Sequence, residues 1–155
     1  MVGTDPHECL QFHVVTSWEV MEHIPEPAIQ QVIQNVTRHL LPGGLWIASI
    51  CPSEDIVAGV RLHQTVRPKA WWVDRFAAAG LHNVPEHVDY FNTQFIRGPK
   101  YGAPPDSFHV VLTNNRSEAP QPRTVSWQAW AYDRWLGSRF QRGLRQIVVG
   151  HNDEL

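Results

Sequence analysis

The chain has 155 residues, the length of one domain rather than of a multidomain machine. Its hydrophobic share of 43%, with 7 Trp, 6 Phe and 3 Tyr, excludes a disordered chain, because that much apolar material supports a packed core. Lys plus Arg number 13 and Asp plus Glu 15, for a formal net charge of -2. That balance offers no overall electrostatic reason to wrap nucleic acid, and none is expected as a partner.

Two cysteines, Cys9 and Cys51, cannot build a disulfide framework or a four-thiolate zinc site, which fits a reducing compartment. The amino terminus lacks the basic and apolar run of a secretory leader, and no apolar stretch approaches the roughly 20 residues that span a bilayer. The expectation is a cytoplasmic protein without a transmembrane segment.

Residues 12–17, Phe-His-Val-Val-Thr-Ser, are short, β-branched and bounded by polar residues, so they read as a strand. Pro25 and Pro27 suit a first helical turn, and Ile29, Val32, Ile33, Val36 and Leu40 then recur at three- and four-residue intervals as a core-facing stripe. The stripe ends at Leu41-Pro42-Gly43-Gly44, and residues 45–51 run apolar almost without interruption, as doubly buried strands do. Strand, helix and strand close as a right-handed crossover with parallel strands, which brings the end of the first strand beside Cys51 to Glu54.

Trp71, Trp72, Arg75, Phe76 and Ala79 suit a second helix stopped by Gly80, with the tryptophans serving either as core or as a stack for a planar substrate. Strands are expected at Val84 to Phe91 and at Phe108 to Thr113, the latter antiparallel and at or beside an edge, with a loop from Arg97 to Pro105 between them. In the tail, Trp127, Trp130, Ala131, Trp135 and Leu136 recur at helical spacing among Arg123, Arg134, Arg139, Arg142 and Arg145.

The richest chemistry lies at Ser17 to His23. Glu19, Glu22 and His23 stand at i, i+3 and i+4, so one helical turn would place them on one face. Two carboxylates and an imidazole can share Mg²⁺, Mn²⁺ or Zn²⁺, and His63, after the second strand, is a fourth candidate ligand on the same edge. Alternatively His23 acts alone as a general base, since histidine titrates near neutrality, or the residues only cap and hydrogen-bond the turn.

The run Val14 to Pro25, with its Ser17-Trp18-Glu19-Val20-Met21-Glu22-His23-Ile24-Pro25, is followed by a helix and Leu40-Leu41-Pro42-Gly43-Gly44. It resembles the fourth strand, next helix and start of the fifth strand of class I S-adenosylmethionine-dependent methyltransferases. Residues 63–80 are similar to the helix before the family's sixth strand, and 108–113 to its last, antiparallel strand. The resemblance spans residues 12–113. It implies a partial Rossmann-like α/β sandwich from the fourth strand onward over residues 1–116, and a Trp- and Arg-rich, helical carboxyl-terminal extension over 117–155. The ten glycines form no Gly-x-Gly-x-Gly cofactor loop, so the chain is expected to act as the carboxyl-terminal half of such an enzyme.

The resemblance further implies S-adenosylmethionine as cofactor, held by Ser17, Trp18 and Glu19, with Asp5 in a remnant of either the ribose-binding turn or the adenine-contacting loop. Glu22 and His23 would face the acceptor as catalytic residues. A Glu-x-x-Glu-His cluster of this kind is associated in the family with a divalent ion, which would engage Glu19, Glu22, His23 and His63. The implied reaction is methyl transfer to oxygen of a small molecule or glycan. The open edge expected at 12–17 calls for a homodimer or a separate cofactor-binding chain. Two alternatives stay open: a truncated non-catalytic remnant, and an interaction module built on the Trp- and Arg-rich helix.

Overall fold

The structure, a computed structural model, describes residues 9–93 and 107–131. Asp5, the 97–105 loop and the tail beyond Ala131 lie outside the described residues. The described residues fall into two compact units, one of 9–85 with 107–121 and one of 86–93 with 122–131.

In the first unit, β1 (Phe12–Trp18) leads through a 3-10 turn (Met21–His23) into α1 (Glu26–His39) and β2 (Leu40–Ile50). A hairpin of β3 (Ile56–Val57) and β4 (Val60–Arg61) follows, then α2 (Lys69–Ala78), β5 (His82–Asn83) and β6 (Phe108–Thr113). The fold is mixed α/β, with a four-stranded sheet in the order β1-β2-β6-β5. β1 and β2 are parallel, while β6 runs antiparallel to both β2 and β5. The expected strand at 108–113 is thus internal, one place in from the β5 edge.

Pro27 sits in the first turn of α1, where its missing N–H costs nothing, and Ile29 and Ile33 form the buried stripe. They pack with Trp72 and Phe76 of α2 against Trp46, Ala48 and Ile50 of β2 and Val110 and Leu112 of β6, which share one sheet face. Leu45, Ile47 and Val111, on the other face, are equally buried, so β2 carries no polar alternation. Trp72 is core, which settles its role as packing; Trp71, partly buried, packs against that core and is also within cation–π distance of the Arg67 and Arg75 guanidinium groups.

Two boundaries differ from the sequence reading. Pro42-Gly43-Gly44 does not precede β2 but lies inside it, where the β1 register jumps from Phe12↔Leu40 to Val14↔Leu45. A side chain on Gly44 would press on the carbonyls of Leu41 and Phe12, and Gly43 holds φ at +70, so glycine permits the chain to bulge there. The strand expected over Val84 to Phe91 is two residues, His82–Asn83; Val84 still donates to the Val111 carbonyl, but Pro85 has no N–H to continue the ladder. A 3-10 turn (Pro85–His87) follows instead.

Gly80 does stop α2: at φ +82 it donates to Ala77, and Leu81 donates to Phe76. In the second unit α3 (Val88–Thr93) and α4 (Trp127–Ala131) are short, and the Ser126 hydroxyl caps α4 by accepting from the Ala129 amide. No helix among the described residues is long and apolar enough to cross a membrane.

Candidate functional site

β1 and β2 are paired in parallel from Val14↔Leu45 to Trp18↔Ser49, so their carboxyl ends coincide. The ladder ends at Glu19, whose amide donates at 3.0 Å to both the carbonyl and the hydroxyl of Ser49. Glu19 takes φ +52, uncommon for a non-glycine residue, and this turns the chain out of the strand. Its carboxylate accepts from the Ser107 hydroxyl through Oε2 at 2.7 Å, while the buried Oε1 has no partner among the described residues.

The 3-10 turn then points Glu22 inward. Its side chain is fully buried; Oε1 accepts from the Cys51 amide at 3.2 Å and Oε2 has no partner among the described residues. The Glu22 carbonyl accepts from Gln64 and Thr65 at 2.7 and 2.9 Å, and the Thr65 hydroxyl donates to Ile24. These bonds lace residues 63–65 to the turn and bring His63 beside His23, their rings edge to face at 4.8 Å. Burial, reinforced by the nearby Glu19, holds the Glu22 carboxyl above its ordinary range; backbone amides and the His63 charge pull the other way.

The imidazoles are oriented by the backbone. His23 Nδ1 lies 3.1 Å from the Leu62 carbonyl, and the buried His63 Nδ1 lies 2.6 Å from the Ser53 carbonyl. A carbonyl only accepts, so each Nδ1 carries a proton, and in its neutral form each ring keeps its lone pair on Nε2. This is the arrangement that prepares histidine for a metal or a proton. One ligand-capable atom from each of Glu22, His23 and His63 lies within 4.8 Å of the others. Ligands of one ion at 2.0–2.2 Å stand roughly 3–4 Å apart, so the trio must close by about an ångström to bind one.

Of the residues singled out in the sequence, the fold thus gathers Glu22, His23 and His63, while the Glu19 carboxylate is engaged by Ser107. Ser17 is spent internally, its hydroxyl accepting from Trp46 Nε1 at 2.9 Å, and Trp18 meets the His109 ring edge to face. Cys51 is buried and serves through its amide. The residue that sequence reasoning missed is Asp55, whose Oδ2 lies 4.0 Å from His63 Nε2. Its signal was the hairpin pattern Ile-Val-Ala-Gly-Val-Arg immediately after it.

No protein-family model matches the chain, and no curated protein sequence does. The chain is similar to a solved structure, that of the (4+2)-cyclase SpnF, with a TM-score of 0.42 and 17% identity over 72% of this chain and 54% of that one. It therefore spans about half the length of SpnF.

Proposed function

We propose that this chain carries the acceptor side of an S-adenosylmethionine-dependent methyl transfer to oxygen of a small molecule or glycan, with the sheet forming part of a Rossmann-like class I methyltransferase fold. The observation that carries this reading is the set of free electron pairs at the carboxyl end of β1 and β2. A fully buried Glu22, whose Oε2 has no partner among the described residues, lies beside two histidines whose Nδ1 protons are tied to carbonyls. The methyltransferase-like sequence from Val14 to Pro25 supplies the reaction class.

The cofactor, when bound, supplies an electrophilic methyl group on a sulfonium. On the protein side, the buried Glu19 Oε1 suits a cationic group such as the cofactor's α-ammonium, because it is a carboxylate oxygen without a donor among the described residues. Glu22 Oε2 and the Nε2 atoms of His23 and His63 would receive the proton of the acceptor hydroxyl, and the raised affinity of Glu22 for protons fits it to that task. The same three residues would hold a divalent ion, whose chemistry is to lower the pKa of a coordinated hydroxyl. Ser49, by fixing the Glu19 amide, and Cys51, by fixing Glu22 Oε1, keep both carboxylates in place.

Calorimetric titration of the chain with S-adenosylmethionine and with Mn²⁺ or Zn²⁺ tests this. The wild type should bind the metal and, lacking a Gly-x-Gly-x-Gly loop, S-adenosylmethionine only weakly. Glu22→Gln should lower metal affinity at least tenfold, since it removes the one anionic ligand and keeps the volume. Absence of binding to both ligands would overturn the reading.

A further inference from the structure

We infer that one face of the β3–β4 hairpin is the platform that receives the acceptor, and that the acceptor is a small molecule with an apolar body and a hydroxyl at one end. The inference rests on the methyl-transfer reading of the Glu22, His23 and His63 cluster and names its substrate class. In the hairpin Ile56 pairs with Arg61 and Val57 with Val60, and the Leu62 amide continues the ladder to the Asp55 carbonyl. Cross-strand partners share a face and side chains alternate, so Asp55, Val57, Val60 and Leu62 lie on one face and Glu54, Ile56 and Arg61 on the other.

The two faces differ in chemistry. Glu54 and Arg61 form an ion pair beside a polar cleft of about 240 Å³ that Gln64 and Arg67 also line. The opposite face shows Val57, Val60 and Leu62 at 55%, 61% and 37% exposure. Its sole charge is Asp55, and that charge lies at the cluster end, 4.0 Å from His63. A molecule laid along this face would bury its body on two valines and a leucine and bring its polar end to the histidines.

The hairpin is also fixed to the cluster at both feet. Leu62 accepts from the His23 ring through its carbonyl, and Ser53, two residues before Asp55, accepts from the His63 ring. At the tip Ala58 and Gly59 both take positive φ, +50 and +80, the tight reversal that keeps the strands in register. Two-residue strands alone do not hold a hairpin in water, so these anchors set where the apolar face points.

The experiment titrates the 155-residue chain with phenol, 4-ethylphenol and 4-butylphenol, followed by NMR shifts. Affinity should rise roughly two- to fourfold per added methylene, with the shifts concentrated at Val57, Val60 and Leu62. The double variant Val57→Ser, Val60→Ser should lose at least tenfold in affinity for 4-butylphenol while its Mn²⁺ titration and near-ultraviolet circular dichroism stay at wild-type values. Ile56→Ser, on the opposite face, should bind 4-butylphenol as the wild type does.

A series flat in chain length, or equal losses from Ile56→Ser, overturns the platform. Binding to phosphatidylcholine vesicles without affinity for monomeric 4-butylphenol overturns it too, in favour of a membrane-contact surface. Failure to bind S-adenosylmethionine and Mn²⁺ with the alkylphenol series intact overturns the methyl-transfer reading alone and supports the apolar platform.

Discussion

β1 and β2 lie side by side in parallel register and are built from similar residues, yet they occupy different physical situations. From Leu45 to Ile50 every β2 residue is buried: the strand has β1 on one side and β6 on the other, and its side chains are covered on both faces. No residue of β1 is fully buried; Phe12 and Val14 are each 48% exposed, and the strand has one neighbour among the described residues. Neighbour number, more than residue type, thus decides what a side chain contributes. The contrast also locates the chemistry: β2 supplies a rigid floor, and the end of the looser β1 hands Glu19, Glu22 and His23 to its rim.

The largest expected effect tests that asymmetry directly. Trp46→Ala removes a fully buried indole from the floor and leaves the Ser17 hydroxyl without its donor, so stability should fall by about 3–5 kcal/mol. Phe12→Ala, on the edge strand, should cost about 0.5 kcal/mol or less. Urea unfolding at constant slope measures both, and equal losses would show that β1 is covered as fully as β2.

A second pair sharpens the role of the bulge. A Cβ on Gly43 would stand 2.3 Å from the Glu118 carbonyl oxygen, at φ +70, whereas Gly59 has φ +80 and open space. Gly59→Ala carries only the backbone strain of about 1 kcal/mol, and Gly43→Ala should cost at least about 2, as the Glu118 segment is pushed off. Equal midpoints for the two variants would mean that residue 118 yields freely.

The sequence reading and the structure part at specific places. Phe108–Thr113 is legible because it is an apolar run bounded by polar residues, and α1 because its stripe and its proline agree. The shortness of β5 is a consequence of one proline, and the inclusion of Pro-Gly-Gly in β2 depends on glycine dihedrals that no periodicity reveals. At the site, the spacing of Glu22 and His23 anticipates their proximity, and His63 follows from strand order. The separate engagement of Glu19 by Ser107, 88 residues away, and the approach of Asp55 to His63 depend on tertiary packing.

Glu22 gives a pH signature that distinguishes rim from floor. Its carboxyl is held above the ordinary value of 4.5 by burial, so above that value the folded state retains a proton that the unfolded chain has released. Its contribution is therefore favourable at low pH and is lost as pH rises from the ordinary value through the raised one. Each tenfold difference in proton affinity corresponds to about 1.4 kcal/mol. Glu22→Gln removes that slope while keeping an oxygen for the Cys51 amide. Plotted against pH, the Tm of the variant should gain on the wild type through that window and then run parallel. Two curves parallel from pH 4 upward would show that the carboxyl ionises at no cost and that its burial is relieved.

The smallest effect on stability carries the clearest statement about assembly. Among the described residues no strand pairs with the outer edge of β1, next to the exposed Phe12 and Val14, the combination that invites another strand. A second copy pairing there would join two sheets through backbone bonds and cover the exposed apolar side chains. Val14→Lys places a charge on that edge. Because Val14 is half exposed, the urea midpoint should move by about 0.5 kcal/mol or less, while association weakens strongly, since a buried unpaired ammonium is costly in a dimer and free in a monomer. Sedimentation of wild type and variant over a hundredfold range of concentration reads the difference. A wild type that stays monomeric throughout would mean that the single-neighbour edge is protected within the chain itself, and the contrast between β1 and β2 would then be one of side-chain burial alone.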